Sequence, residues 1–264
     1  MAIERIVPGT IEWDAFYANH IVRYQFATTT LLQINNVKKL LDAACGVGYG
    51  AKYLAQQFPN VHITAIDRSA KALAIANTNF ASSNISFIED DCHTLAAASS
   101  VAPFDAIVSF ETLEHLPKPE AFLKNCFNAL TSNGTLIVST PNQLVSSPTA
   151  LNWQYHEKEY MPIELLNILK AAGFCNIQLW GQQFNLKGKI KNEVRADLNK
   201  LWSNPFVRFG RWIQTILRGR KFNAVLKETI DDFEIVPFNN AQDLDLLGVQ
   251  GPFVLIAVAQ KTHS

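Results

Sequence analysis

Two histidines and a pair of glutamates give this chain its most direct route to acid–base chemistry. Glu111, Glu114 and His115 stand in the string F-E-T-L-E-H-L at the end of an apolar run, and His156 stands in N-W-Q-Y-H-E-K-E-Y-M-P after a second such run. Histidine is the side chain whose ordinary pKa lies nearest neutrality, so one held beside a hydroxyl can take up its proton. A different chemistry is written in D-A-A-C-G-V-G-Y-G, residues 42–50. Glycines at Gly46, Gly48 and Gly50 let a backbone turn tightly and come close to a ligand. The helix that follows offers the unpaired N–H groups of its first turn to an anion. Asp67 ends the next apolar run about twenty residues further on, where an open α/β sheet presents a carboxylate to ribose hydroxyls.

These residues need a scaffold that brings loops from several strands to one edge. Val37, Leu40 and Leu41 form a first strand closed by Asp42, and Lys52 to Gln57 opens a helix with Tyr53, Leu54 and Phe58 at helical spacing. Val61 to Ile66 is a second strand. Ser69 caps a helix through Ala72, Ala76 and Phe80, and Ile85 to Ile88 is a third strand running into Glu89-Asp90-Asp91-Cys92. Phe104 to Phe110 is the fourth, with Pro117 opening the next helix at its first turn. Gly134 to Thr140 is the fifth, Pro162 to Ala172 a helix ended by Gly173, Ile177 to Trp180 the sixth strand, and Phe253 to Ala259, after Gly251-Pro252, the seventh. Ahead of them, residues 12–33 read as one or two helices with Asp14 as N-cap. The fold class is therefore α/β: a Rossmann-like, seven-stranded, mostly parallel sheet with helices on both faces and an antiparallel last strand. In such a sheet ligands sit off the carboxyl ends of the strands, which delivers Glu111, Glu114 and His115 to the reaction centre.

The D-A-A-C-G-V-G-Y-G turn resembles motif I of the class I S-adenosylmethionine-dependent methyltransferases, an acidic residue followed by G-x-G-x-G, with Ala44 standing for the first glycine. A pyrophosphate-binding turn would carry a glycine at Ala51 or Tyr53. F-E-T-L-E-H-L resembles the segment after motif II in small-molecule O-methyltransferases, including the ubiquinone-pathway group. The string N-H-I-V-R-Y-Q-F-A, residues 19–27, is similar to a leader in bacterial methyltransferases encoded with glycan biosynthesis. The resemblance implies S-adenosyl-L-methionine as cofactor. It assigns Asp42, Ala44, Gly46, Gly48 and Gly50 to the methionine moiety, Arg23 to its carboxylate, Asp67 to the ribose, and Asp91 and Cys92 to adenine, with Arg68, Phe110 and Glu111 completing the cofactor site. It further implies that residues 1–35 form a lid, that Tyr17, His20, Tyr24, Asn142, Trp153 and Tyr155 line the acceptor pocket, and that His115 or His156 is the base. Plainer readings stand beside these: Arg23 as a solvated charge, Asp91 as part of a solvated acidic loop, and His115 bonded to a neighbouring backbone.

Composition narrows the field. In 264 residues, 23 Lys+Arg balance 23 Asp+Glu, so no nucleic-acid-binding surface covers the molecule. The 48% apolar content supports one well-buried domain over residues 1–264 with an elaboration. Cys45, Cys92, Cys126 and Cys175 are too widely spaced for a zinc site, and they read as buried free thiols of a cytoplasmic protein; no metal is expected. Residues 182–250 differ, and in their first part Lys187, Lys189, Lys191, Arg195, Lys200, Arg208, Arg211, Arg218, Arg220, Lys221 and Lys227 outnumber Glu193, Asp197 and Glu228. Trp202, Phe206, Phe209, Ile213, Ile216 and Leu217 share a helical face there, opposite arginines. That basic helical insertion between strands six and seven has three readings: docked on the protein's own core, facing a phosphorylated or glycan- or lipid-linked acceptor, or making a peripheral membrane contact through residues 202–221 at the inner face. The functional reading is methyl transfer, most directly to oxygen, onto a small-molecule, sugar or lipid-linked acceptor. Its rivals are a cofactor-binding partner subunit without catalysis and an NAD-dependent oxidoreductase.

Overall fold

The computed structural model describes residues 7–34, 36–145, 156–193, 228–238 and 252–262. Trp153, Tyr155, Gly251 and the amphipathic stretch 202–221 lie outside them. Two compact units make up the chain, Ile6–Val22 with Phe184–Glu234 as one, and Arg23–Gln183 with Ile235–Ser264 and the first five residues as the other.

The larger unit is built on a sheet. Helix α1 (Ile11–Leu32) leads into β1 (Lys39–Ala43), α2 (Tyr49–Gln57), β2 (His62–Asp67), α3 (Ala70–Phe80), β3 (Ile85–Glu89), the short α4 (Ala96–Ser99) and β4 (Phe104–Phe110). Then come α5 (Pro119–Ala129), β5 (Leu130–Pro141), α6 (Pro162–Ala172), β6 (Cys175–Phe184), β7 (Phe233–Pro237) and β8 (Val254–Gln260). The strands lie in the order β3-β2-β1-β4-β5-β8-β6-β7. Pairs from β3 through β5 are parallel, and β8 runs antiparallel to both β5 and β6. β1 sits between β2 and β4, pairing Leu40 with Ile63 on one side and with Ala106 on the other. A strand hydrogen-bonded on both edges and covered on both faces has no polar side, which is why Leu40 and Leu41 come from a continuous apolar run. Phe104, Ile107 and Leu136 of the sheet pack with Phe122 and Leu123 of α5 and with Leu165 and Leu169 of α6. Among the described residues no helix is long and apolar enough to cross a membrane.

Several expectations hold at their residues. The Ser69 hydroxyl accepts the N–H of Ala72 at 3.3 Å, and Gly173 closes α6 with φ +109°. Others need correction. The sheet has eight strands, because residues 233–237 of the insertion add β7 beyond β6, which itself extends from Cys175 to Phe184. The leader is a single helix, and its first turn is capped by the Thr10 hydroxyl, which accepts the N–H of Trp13 at 3.2 Å, so Asp14 lies inside the helix. α5 opens on Pro119, two residues past Pro117, since either proline satisfies the same first-turn preference.

Gly50 also changes meaning. α2 begins at Tyr49, so Gly50 is helical, and a Cβ built on it would fall 1.9 Å from the Tyr24 ring. The missing side chain makes room for a tyrosine of α1, where the sequence pointed to a ligand. From that seat the Tyr24 hydroxyl lies 3.3 Å from the Asp42 carboxylate, and its ring meets Phe110 edge-on at 4.8 Å. Asp42 is fully buried, and that burial chiefly, with the Asp67 charge adding to it, pushes its carboxyl up to about 7.

Two outcomes follow from this contact. Gly50→Ala should lower stability by about 1–3 kcal/mol through overpacking, more than its gain in helix propensity returns. Thermal unfolding followed by circular dichroism should register a fall of roughly 2–4 °C per kcal/mol; an unchanged midpoint would show that the Tyr24 ring is not confined. For Asp42 the folded-state pKa lies above the ordinary 3.8, so the unfolded chain gives up this proton first and stability declines as pH rises from about 4 to about 7. Asp42→Asn removes that decline. The variant should gain on the wild type by on the order of 4 kcal/mol between about pH 4 and about pH 8, and parallel melting curves at both pH values would refute it.

Candidate active site

The glycine turn is held from below by Asp67. Its Oδ2 accepts the Gly46 N–H at 3.0 Å and its Oδ1 accepts the Ser69 N–H at 2.8 Å, while the Cys45 N–H bonds the Ile66 carbonyl at 2.8 Å. The turn alternates through the left-handed region, with φ +62° at Ala44, +57° at Gly46 and +88° at Gly48. A Cβ on Gly48 would stand 2.8 Å from Ala76 and Phe87, so that glycine is required by packing as well as by its angle. A Cβ on Gly46 would meet nothing within 4 Å, leaving an open face over the backbone. Ala44 adopts an angle that costs an L-residue roughly 1–2 kcal/mol, so the departure from glycine matters through its backbone and not its size.

Neighbouring strand ends extend this edge in the order of the sheet. After β3, Asp90 is the structural acid: buried, it accepts the N–H of Ala98 at 2.8 Å and of Asp91 at 2.9 Å. Asp91 is the exposed one, with 57% of its side chain accessible, and its Oδ1 takes the His93 N–H at 2.8 Å and faces His93 Nδ1 at 2.9 Å. Those bonds, with the Arg68 charge nearby, hold its carboxyl below the usual range. Cys92 is buried, and burial drives its thiol up to about 12. After β4, Phe110 is buried, and Glu111 turns at φ +51°, where its Oε1 receives the Ser139 hydroxyl of β5 at 2.7 Å.

The glutamate–histidine string then folds into one tight turn, Leu113–His115, which brings its polar groups together with the segment after β5. Glu114 is 1% exposed; its Oε2 accepts the Thr140 hydroxyl at 3.0 Å, and its Oε1 lies 3.8 Å from His115 Nε2 with no hydrogen-bond partner among the described residues. Burial first, and the Glu111 charge second, hold the Glu114 carboxyl well above the usual range. The Glu114 carbonyl accepts the N–H groups of Glu157 at 2.6 Å and Lys158 at 3.3 Å, which docks the residues around His156 onto this turn. The two histidine rings meet edge to face with centroids 5.0 Å apart, and His156 Nδ1 lies 2.8 Å from the buried carboxylate of Glu159. Histidines 41 positions apart in sequence thus share one site. Glu114, His115 and His156 each offer a ligand atom within 4.8 Å of the others, a grouping that the cysteine-based expectation of no metal did not address.

The other expected residues have partners of their own. Arg23 is buried at 1% exposure, not solvated, and its Nη1 donates to Gln182 Oε1 at 2.9 Å. Asn142 spends its carboxamide on the chain, donating to the Pro252 carbonyl at 2.8 Å and accepting from the Leu144 N–H at 3.2 Å. Tyr17 and His20 belong to the smaller unit, where Tyr17 stacks on Trp13 at 4.3 Å. Sequence reasoning passed over Glu159, Thr140 and Gln182. Only the H-x-x-E spacing of His156 and Glu159 was a visible signal.

The sequence profile of a family described as a methyltransferase domain matches residues 34–195, more than half of the chain. The ubiquinone biosynthesis O-methyltransferase of Idiomarina loihiensis is 30% identical over 178 residues, 61% of this chain and 72% of that protein. Its namesake in Xylella fastidiosa is 36% identical over 183 residues, 62% of this chain and 72% of that one. Among solved structures, the plantazolicin methyltransferase BpumL, in complex with SAH, superposes with a TM-score of 0.56 at 17% identity over 94% of this chain and 86% of its own, a likeness of fold. A glycine turn pinned by an acid at the switch point of the sheet, open over Gly46, suits an adenosyl cofactor and lacks the pyrophosphate glycine of a nicotinamide site. With the profile and the fold in agreement, the chain belongs to the class I S-adenosylmethionine-dependent methyltransferases.

Proposed function

We propose that the enzyme methylates a hydroxyl oxygen of a small-molecule acceptor at the histidine pair. The observation that carries this reading is the packing of His115 against His156 beside Glu114, at the end of the strand adjoining the glycine turn. The names of the two relatives, both O-methyltransferases, support it. S-adenosylmethionine supplies an activated methyl group, so the protein's work is alignment: the carbon–sulfur bond breaks as the carbon–oxygen bond forms, a thioether leaves, and the hydroxyl proton passes to His115 or His156 as base and from there to solvent. Holding an acceptor in line contributes on the order of 7–11 kcal/mol, and a positioned polar group at the proton contributes about 10² to 10⁴ in rate.

On this reading Asp67, already aimed by Gly46 and Ser69, serves the ribose; Asp91 at the rim serves adenine; and the turn from Asp42 to Gly48 with Phe110 and Glu111 encloses the remainder. Arg23, fixed by Gln182, supplies positive charge for the cofactor's carboxylate. The finer reading of a sugar- or lipid-linked acceptor, met at the inner membrane face by a cytoplasmic enzyme, rests on the basic composition of residues 187–227.

Asp67→Ala should weaken S-adenosylmethionine binding by roughly 10²-fold or more, since hydrogen bonds to a charged acceptor contribute about 1.5–3 kcal/mol each. Titration calorimetry measures this directly, and wild-type affinity in the variant would remove Asp67 from the cofactor site. His115→Ala and His156→Ala should each lower turnover by about 10²- to 10⁴-fold with cofactor affinity unchanged. Acceptors are found by screening hydroxylated small molecules for the mass gain of one methylene. Full turnover in both variants would discard the assignment of the histidines.

A further inference from the structure

We infer that Glu114, His115 and His156 form a binding site for a divalent transition-metal cation of the zinc or cobalt type. This inference rests on the methyl-transfer reading only for its use; the site itself stands on geometry. Three ligand atoms of the right kinds, two imidazole nitrogens and one carboxylate oxygen, lie within 4.8 Å of one another, and Glu114 Oε1 is already 3.8 Å from His115 Nε2. Ligands about 2.0–2.2 Å from one cation stand roughly 3–4 Å apart, so small side-chain rotations close the set.

Two independent observations point to an occupant. The first is Glu114 Oε1 itself, a buried oxygen directed at the histidines and without a hydrogen-bond partner among the described residues, although its twin Oε2 is bonded by Thr140. Leaving a buried polar atom unsatisfied costs about 1–3 kcal/mol, which a bound cation would relieve. The second is the arrangement behind His156. Glu159 Oε1 lies 2.8 Å from Nδ1, and a carboxylate only accepts there, so the ring proton sits on Nδ1 and the lone pair on Nε2 is left for a ligand. A carboxylate behind the histidine is the usual support of a metal-binding imidazole, fixing its tautomer and raising its basicity.

The donor set selects the cation. Imidazole suits zinc, cobalt and similar ions, whereas magnesium prefers an all-oxygen, octahedral shell. Three protein ligands leave at least one position open, as in catalytic and not structural sites. An acceptor oxygen in that position would have its hydroxyl acidified and its direction fixed at once. The histidines would then act through the cation instead of as free bases.

The experiment uses the full chain, stripped with a chelator and dialysed, then titrated with Co²⁺, Zn²⁺ and Mg²⁺ by calorimetry, with the visible ligand-field bands of Co²⁺ as a second readout. One Co²⁺ or Zn²⁺ per chain is expected, with Mg²⁺ at least about 100-fold weaker, since nitrogen donors disfavour it. Glu114→Gln and His156→Ala should each weaken Co²⁺ by more than about 100-fold, and Glu159→Gln, which touches only the supporting bond, by about 10- to 100-fold. S-adenosylmethionine affinity, measured on each variant, reports whether the fold survives. Absent binding, or Co²⁺ binding that Glu114→Gln and His156→Ala leave unchanged while the cofactor still binds, overturns the cation site. In that case a turnover loss in His156→Ala would still uphold methyl transfer, while wild-type turnover there and in His115→Ala would defeat the histidine assignment itself.

Discussion

One buried carboxylate ties the working edge of the sheet together. Asp67 closes β2 and spends one oxygen on the Gly46 N–H of the turn and the other on the Ser69 N–H at the head of α3. Without that acceptor the turn, which carries three left-handed residues including the strained Ala44, would keep only backbone bonds such as that of the Cys45 N–H to the Ile66 carbonyl. The edge is therefore set by a charge placed at a strand end, and the sheet's parallel order fixes where the charge falls. Asp91, Asp67, the turn and Glu111 follow one another because β3, β2, β1 and β4 do.

A second organising contact works from the opposite direction. Tyr24 of α1 fills the space that Gly50 leaves, and through Asp42 and Phe110 it joins the leader helix to the ends of β1 and β4. Arg23, next to it, is committed to Gln182 on β6. Adjacent residues of one helix thus reach three strands, so the C-terminal half of α1 is part of the site's frame.

What the sequence disclosed was whatever depends on near neighbours. Apolar runs gave β1, β2, β4 and β5, the Ser69 cap marked α3, and Gly173 marked the end of α6, because periodicity and capping are local. What the sequence left illegible has a common physical source. Gly50 was read toward a ligand because its real partner, Tyr24, stands 26 positions away. Asp90 and Asp91 look alike in a row of acids, and only the path of the loop buries one and exposes the other. β7 went unseen because it is a five-residue strand with only Phe233, Ile235 and Val236 to mark it, and its pairing with β6 is a contact distant in sequence. Glu114 was noticed without its role, since nothing near it predicts that Thr140 and His156 will surround it.

The place where residues 183–252 join the sheet has a consequence for how freely their length can vary. Gln182 on β6 pairs with Val254 on β8, and the Phe253 N–H bonds the Gln182 carbonyl at 3.1 Å, so the polypeptide leaves and re-enters this ladder at one rung, with β7 as a further attachment beyond β6. Closing a chain between fixed attachments depends only weakly on its length. Doubling its length raises the closure entropy by only about 0.6 kcal/mol, and the parallel strands that carry the cofactor turn take no part in the junction. A change of length between those attachments would leave the catalytic edge in place.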